Sequence, residues 1–309
     1  MRRTPGNLLL WCITLLTPAG AEWIAVCLFG RVRGARVVGE ALRQNLLDPL
    51  CGGSCAAEAP QHRVDVYIAG PATSGSPLRG TADLLDAQGF PWLVKGVRFQ
   101  DESHILSYLN TPENIDNWHK TLLIRGNWIG AASKLMSKRR IHRRRGSGLW
   151  QYFAQHQCLE MIEGQERFAA TSYDRLVLSR TDLKWIFPHP PPHALDRTLA
   201  WIPDTMEDDW GGIYDRHYVL PRSLLRAGLG GWEMLVDGRA WRLMATGADV
   251  MLPGSNVSMN TETYLALRLE YAGAQIARYP ATAYLACDSS EWKDGKTGMS
   301  QGGSRTVHG

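Results

Sequence analysis

A chain of 309 residues with 44% hydrophobic and 21% charged residues has the balance of a globular protein, and it is long enough to bury a core without disulfide staples, which excludes a disordered chain. Its formal net charge of +4 is mild, and much of the excess comes from one run between Lys134 and Arg145. A general affinity of the whole chain for nucleic acid is therefore not implied.

Arg2 and Arg3 precede an apolar stretch at 8–16, and Pro18-Ala19-Gly20-Ala21 offers an A-x-A cleavage pattern, so residues 1–21 read as a cleaved signal peptide. A core helix bracketed by Pro5, Gly6 and Pro18 is the alternative. The stretch is well short of the roughly 20 apolar residues that a spanning helix needs, and no other segment reaches that length, so the mature chain is expected to carry no transmembrane span. Residues 22–290 are expected to form one α/β domain with a basic loop at 134–148, and the Gly- and Ser-rich tail at 291–309 to be disordered.

Residues 23–29 form a fully apolar run stopped by Gly30, which predicts a central strand. After Gly30-Arg31-Val32-Arg33-Gly34, the residues Val37, Val38, Ala41, Leu42 and Leu46 recur at helical spacing, giving strand, turn and helix. Strands are predicted next at 64–68 and 93–99, then a helix at 113–135. A further helix carries Leu149, Tyr152, Phe153, Leu159 and Ile162 on one side and leads into a strand at 173–182. Four prolines make 187–192 an extended connector. Helices at 223–236 and 261–272 and a late strand at 282–287 complete the pattern, whose alternation predicts a Rossmann-like, mostly parallel sheet flanked by helices.

Without the leader five cysteines remain, an odd number. Cys51-Gly-Gly-Ser-Cys55 is spaced to close a small loop in an oxidising compartment, whereas a zinc site lacks a second ligand pair. Cys27 and Cys158 read as small buried hydrophobes. Asn256-Val257-Ser258 is a glycosylation sequon, in keeping with a secretory route.

The chemistry concentrates at two places. Tyr173-Asp174-Arg175-Leu176-Val177-Leu178-Ser179-Arg180-Thr181-Asp182 is a buried parallel strand ending in an Arg and an Asp, where such sheets present ligands. Asp182 there either meets a divalent cation bridging a diphosphate, assisted by Arg180, or pairs with Arg180 to fix the strand end. The second cluster, Glu207-Asp208-Asp209-Trp210-Gly211-Gly212-Ile213-Tyr214-Asp215-Arg216-His217, is too irregular to read as core. Gly30, at a strand end, followed by Arg31 and Arg33 suits an anionic ligand, since glycine permits the turn and guanidinium groups fork onto phosphate oxygens. Surface arginines after an ordinary strand are the bland alternative. Glu262, two residues after Asn260, is explained by helix capping. His189, His193 and His217 are too scattered to call metal ligands.

The opening strand with Gly30-Arg31-Val32-Arg33, the strand ending Arg180-Thr181-Asp182, the segment Asp209 to Arg216 and Asn260-Thr261-Glu262 together resemble A-type, nucleotide-sugar glycosyltransferase-like proteins over residues 23–287. The resemblance implies a nucleotide-sugar donor, a glycan or glycoprotein acceptor, and Mn²⁺ or Mg²⁺ held by an Asp-x-Asp motif at the position of Arg180-Thr181-Asp182. Here the first acid of that motif is an arginine. Carried over by position, Gly30, Arg31, Arg33, Arg180 and Asp182 hold the donor, with Asp182 the metal or ribose contact. Trp210, Gly211, Gly212 and Arg216 line the acceptor side, and Asp215 or Asp209 is the catalytic base.

The expected function is transfer of a hexosyl-type sugar in the ER or Golgi lumen, or after secretion, with no nucleic-acid partner. Two alternatives stand beside it: a non-catalytic member of the same fold that binds a glycan or a partner protein, and an electrostatic adaptor acting through residues 134–145.

Overall fold

A computed structural model describes residues 20–30, 35–71, 93–100, 111–114, 116–117, 148–205, 212–251 and 260–285. The expected signal peptide up to residue 19, the sequon, the tail and residues 134–147 of the basic loop lie outside them, as does all but the start of the helix expected at 113–135. Among the described residues no helix is long and apolar enough to cross a membrane.

Strand β1 (Trp23–Phe29) is buried along its whole length. Successive side chains of a strand point to opposite faces, so β1 feeds two cores. Ala25, Cys27 and Phe29 enter one, while Ile24, Val26 and Leu28 enter the other. An apolar run without alternation is what a strand covered on both sides requires. β2 (Arg63–Pro71) and β4 (Arg175–Arg180) flank it in parallel, with Val26 opposite Val66 on one side and Val177 on the other. β3 (Val94–Gln100) extends the sheet from β2.

Beyond β4 one strand is reversed. β7 (His217–Pro221) runs antiparallel to β4 and to β6 (Ala200–Asp204), and β6 pairs in parallel with β8 (Ile276–Pro280). The order is β3-β2-β1-β4-β7-β6-β8, and β7 is the reversed member. The expected mostly parallel sheet is therefore present. The strand predicted at 282–287 is instead a three-residue strand, β9 (Ala283–Leu285), paired with β5 (Leu183–Trp185) in a separate two-stranded sheet.

Helix α1 (Ala35–Leu42) continues through a π-helical turn, Arg43–Leu47, and buries Leu42, Leu46, Leu47 and Leu50 on one face of the sheet. Helix α2 (Gly148–Ala169) packs on the other face with Cys158, Leu159 and Ile162. Ala170 takes a left-handed conformation (φ 52°) that ends α2, and the Thr171 N–H returns to the Glu166 carbonyl. The Glu166 side chain then accepts the Tyr173 N–H at 3.0 Å and both arms of Arg222 at 2.6 Å. One carboxylate thus guides the chain from helix into β4. The helix expected at 223–236 is broken at Gly230 into α3 (Leu225–Leu229) and α4 (Gly231–Val236), followed by α5 (Arg239–Met251) and α6 (Thr261–Tyr271).

Two cysteine expectations divide. Cys51 and Cys55 are joined, closing the small loop as their spacing suggested. Cys27 and Cys158, read as separate small hydrophobes, are instead bonded to each other across 131 residues, fastening β1 to α2. Both are fully buried, so burial and bonding coincide, and sequence separation hid the pair. Closing a loop of that length removes much denatured-state entropy, on the order of 2–4 kcal/mol in practice.

His189 and His217 are buried with Trp185 and Tyr279 in an edge-to-face cluster, the two imidazoles 5.2 Å apart. His189 Nδ1 lies 2.6 Å from the Pro190 carbonyl, an acceptor, so Nδ1 carries the proton. Burial holds His189 down to about 4, and burial reinforced by His189 holds His217 well below its ordinary value.

Two outcomes follow for stability. Cys158→Ala is expected to lower the unfolding free energy by about 2–4 kcal/mol in chemical denaturation. The histidines stay neutral in the fold but charge near pH 6.5 when unfolded. Their contribution is complete above that pH and is lost as pH falls from about 6.5 toward 4. The midpoint difference between His217→Phe and wild type should accordingly grow in the variant's favour across that window.

Candidate functional site

The strand order turns at the junction of β1 and β4. β1 continues outward to β2 and β3, and β4 begins the other half. Such a junction leaves a crevice beyond the carboxyl ends of the strands, where open α/β sheets bind ligands. Gly30 closes β1 there with φ +109° and donates its N–H to the Ala69 carbonyl at 3.0 Å. The approach of β2 is so close that a Cβ on Gly70 would lie 2.1 Å from the Gly30 carbonyl oxygen. Both positions therefore exclude a side chain, and the edge presents bare backbone. The Thr181 N–H reaches the Phe29 carbonyl at 3.0 Å, which fixes the end of β4 beside Gly30.

Arg180 and Asp182 form a two-pronged pair: Nε–H donates to Oδ1 at 2.8 Å and Nη2–H to Oδ2 at 2.7 Å. Desolvation alone would lower the Arg180 pKa. The Asp182 bonds and charge, together with the negative Asp215, outweigh it and raise the pKa. Of the two readings of Asp182, the one in which it pairs with Arg180 at the strand end is the arrangement observed. A divalent ion bridging a diphosphate needs at least one open carboxylate oxygen, yet both Asp182 oxygens are bonded to the guanidinium. Among the described residues no three His, Cys, Asp or Glu side chains converge. As it stands, the Arg180 and Asp182 pair at this strand end presents no open carboxylate oxygen to Mn²⁺ or Mg²⁺.

The segment after Gly212, expected to be irregular surface, is largely interior: Ile213, Tyr214, Asp215 and His217 are all buried. It lies on the first turn of α6. A Cβ on Gly212 would stand 2.2 Å from the Glu262 carbonyl carbon, and the Ile213 N–H donates to the Glu262 carbonyl at 3.3 Å. At its far end the Arg216 carbonyl accepts the Arg180 N–H at 2.9 Å. Two acids are brought together by this contact. Asp215 is 4% exposed and Glu262 8% exposed. Asp215 Oδ2 accepts the Gln151 side-chain N–H at 2.7 Å, and Glu262 Oε2 accepts the Thr261 hydroxyl at 2.8 Å. Burial first, and the Asp215 charge second, push Glu262 up to about 7 against the opposing Thr261 bond and Arg216 charge.

The N-cap of α6 is formed by the neighbours of Glu262, which itself lies in the acidic first turn. Asn260 is the N-cap, its Oδ1 accepting the Thr263 N–H at 2.7 Å while Thr263 Oγ1 accepts the Asn260 N–H at 2.9 Å. The Glu262 carboxylate also accepts its own first-turn backbone N–H and is enclosed. Gln151 gave no signal in the sequence, since a glutamine on an amphipathic helix reads as a solvated position. Of the residues expected in the site, Gly30, Arg180, Asp182, Gly212, Asp215 and Arg216 form one connected edge, whereas Arg31, Arg33, Asp209, Trp210 and Gly211 lie outside the described residues.

A groove of about 1050 Å³ lies at the opposite, amino-terminal edge of β1 and β2, lined among others by Glu22, His62, Asp65 and Asp174. Its acids are already engaged. Glu22 is bonded by Arg175 and Arg197, Asp65 by the Trp23 indole and the Tyr173 hydroxyl, and Asp174 by the Trp23 backbone. The acids of this groove are thus held by structural contacts.

No known family model matches the chain, and no curated protein matches it in sequence. Among solved structures it is similar to mouse xyloside xylosyltransferase 1 in its apo form, with TM-score 0.41 and 10% identity, over 84% of this chain and 85% of that one.

Proposed function

We propose that this chain is a glycosyltransferase that moves a sugar from a nucleotide-diphosphate donor to a glycan or glycoprotein acceptor in the secretory pathway. The observation that carries the reading is the buried Asp215 and Glu262 pair, electrostatically coupled to Arg180 at the carboxyl edge where the sheet divides. Bare backbone at Gly30 admits the donor phosphates, and Arg180 supplies positive charge. Glu262, held near neutrality, is matched to accept a proton from the acceptor hydroxyl. Asp215 keeps that affinity high by its charge, and Gln151 orients Asp215 through the 2.7 Å bond. As the acceptor oxygen bonds the anomeric carbon, the bond to the diphosphate oxygen breaks and its electron pair leaves with the diphosphate.

Two disulfides favour an oxidising compartment, and the leader-like residues 1–21 point the same way. A second reading, a non-catalytic binder of the same fold, is favoured by one observation, the closed Arg180 and Asp182 fork.

Screening the chain for stabilisation by UDP, GDP, CMP and their sugars should find one nucleotide that raises the thermal midpoint. No shift with any of them would leave the non-catalytic reading. With the donor identified, Glu262→Gln is expected to lower transfer by about 10²–10⁴-fold. The rate should rise with pH through about 7 as Glu262 loses its proton. Asp215→Asn removes a negative neighbour, lowers the Glu262 pKa, and should move that rise to lower pH.

A further inference from the structure

Building on the donor reading above, we infer that this site neutralises the departing diphosphate with the Arg180 guanidinium in place of a divalent cation, and that Asp182 is the positioning residue that aims it. The fork consumes both oxygens of Asp182, so the carboxylate that would hold a metal is coordinated to an organic cation instead. The guanidinium carries the fixed positive charge, and Asp182 fixes its plane. The fork uses Nε and Nη2, which leaves the Nη1 amino group outside it. The charge of Asp215, together with the bonds and charge of Asp182, holds Arg180 protonated. The Arg180 backbone is pinned from both neighbours, by register with Phe29 on β1 and by its N–H to the Arg216 carbonyl. A cation so placed cannot drift, which suits it to meet charge that develops only as the bond breaks. Asp182 acts through Arg180 and touches no reacting atom.

The test is calorimetric titration of inorganic pyrophosphate, UDP and GDP into the full chain, in EDTA and then in Mn²⁺. Wild type, Arg180→Ala, Arg180→Lys and Arg180→Asp are compared, with circular dichroism confirming that each is folded. Binding is expected to be the same with and without metal. It should weaken by about tenfold or more in Arg180→Ala, and in part in Arg180→Lys, which keeps the charge but not the fork. Arg180→Asp should gain Mn²⁺ binding, read by electron paramagnetic resonance, because two carboxylates then stand two residues apart. Wild-type binding that appears only with Mn²⁺ would overturn the inference while leaving the donor reading in place. Pyrophosphate binding in EDTA without either nucleotide would uphold the arginine site and count against a UDP or GDP donor. Absence of binding by all three in both conditions would overturn both.

Discussion

The burial of β1 on both faces is the constraint from which the rest of the arrangement follows. No charged side chain interrupts Trp23–Phe29, so the strand must be covered by helices on each side and by strands on each edge. The disulfide from Cys27 to Cys158 fastens one cover directly to it. Because β1 and β4 are neighbours in register, with Phe29 opposite Arg180, their carboxyl ends finish together. Where they finish, the chain must leave the sheet, and Gly30 and the Thr181 N–H share that exit. The carboxyl edge at Gly30 and Thr181 is thus a consequence of closing the core, and the polar residues along it are placed by the same register that packs the interior.

The acids at the rim are held at an energetic cost. Removing two carboxyls from water disfavours their ionised forms, and a like charge nearby disfavours them further. One of the pair therefore retains its proton near neutrality, and Glu262 is that member. Packing makes this tolerable, because Gly212 lets the 212–216 segment press against the first turn of α6 without a side chain between them. Arg180 and Arg216 supply the compensating charge. An arrangement that keeps a proton on a buried glutamate has little structural rationale compared with an apolar pair of the same size, which is the physical reason to assign it a chemical task.

The apolar run of β1, the strand ending at Arg180 and the long α2 were legible in the sequence, since each is set by the nature and spacing of apolar residues. The glycine turn at Gly30 and the Arg180 and Asp182 pair at the end of β4 were legible too, since a glycine after an apolar run and charges at its end mark where a strand stops. β6, β7 and β8 were not: they are five residues each, β7 opens with His217, and β8 reads Ile-Ala-Arg-Tyr-Pro. Short strands of mixed composition take their conformation from partners distant in sequence. The enclosure of Glu262 was hidden for a related reason. Its neighbours Asn260 and Thr263 form the cap between themselves, and only tertiary contact with Gly212 shows that the acid between them is enclosed. The Cys27 to Cys158 bond was equally invisible, because each cysteine alone behaves as an ordinary buried residue.

The most direct measurement of the central claim is amide hydrogen exchange of the full chain with and without saturating nucleotide, followed peptide by peptide. Protection concentrated at the ends of β1 and β4 and across 212–216, with the amino-terminal groove around His62 and Asp174 unchanged, is the predicted result. Protection confined to that groove would contradict the account, since it would put the ligand at the opposite edge of the sheet.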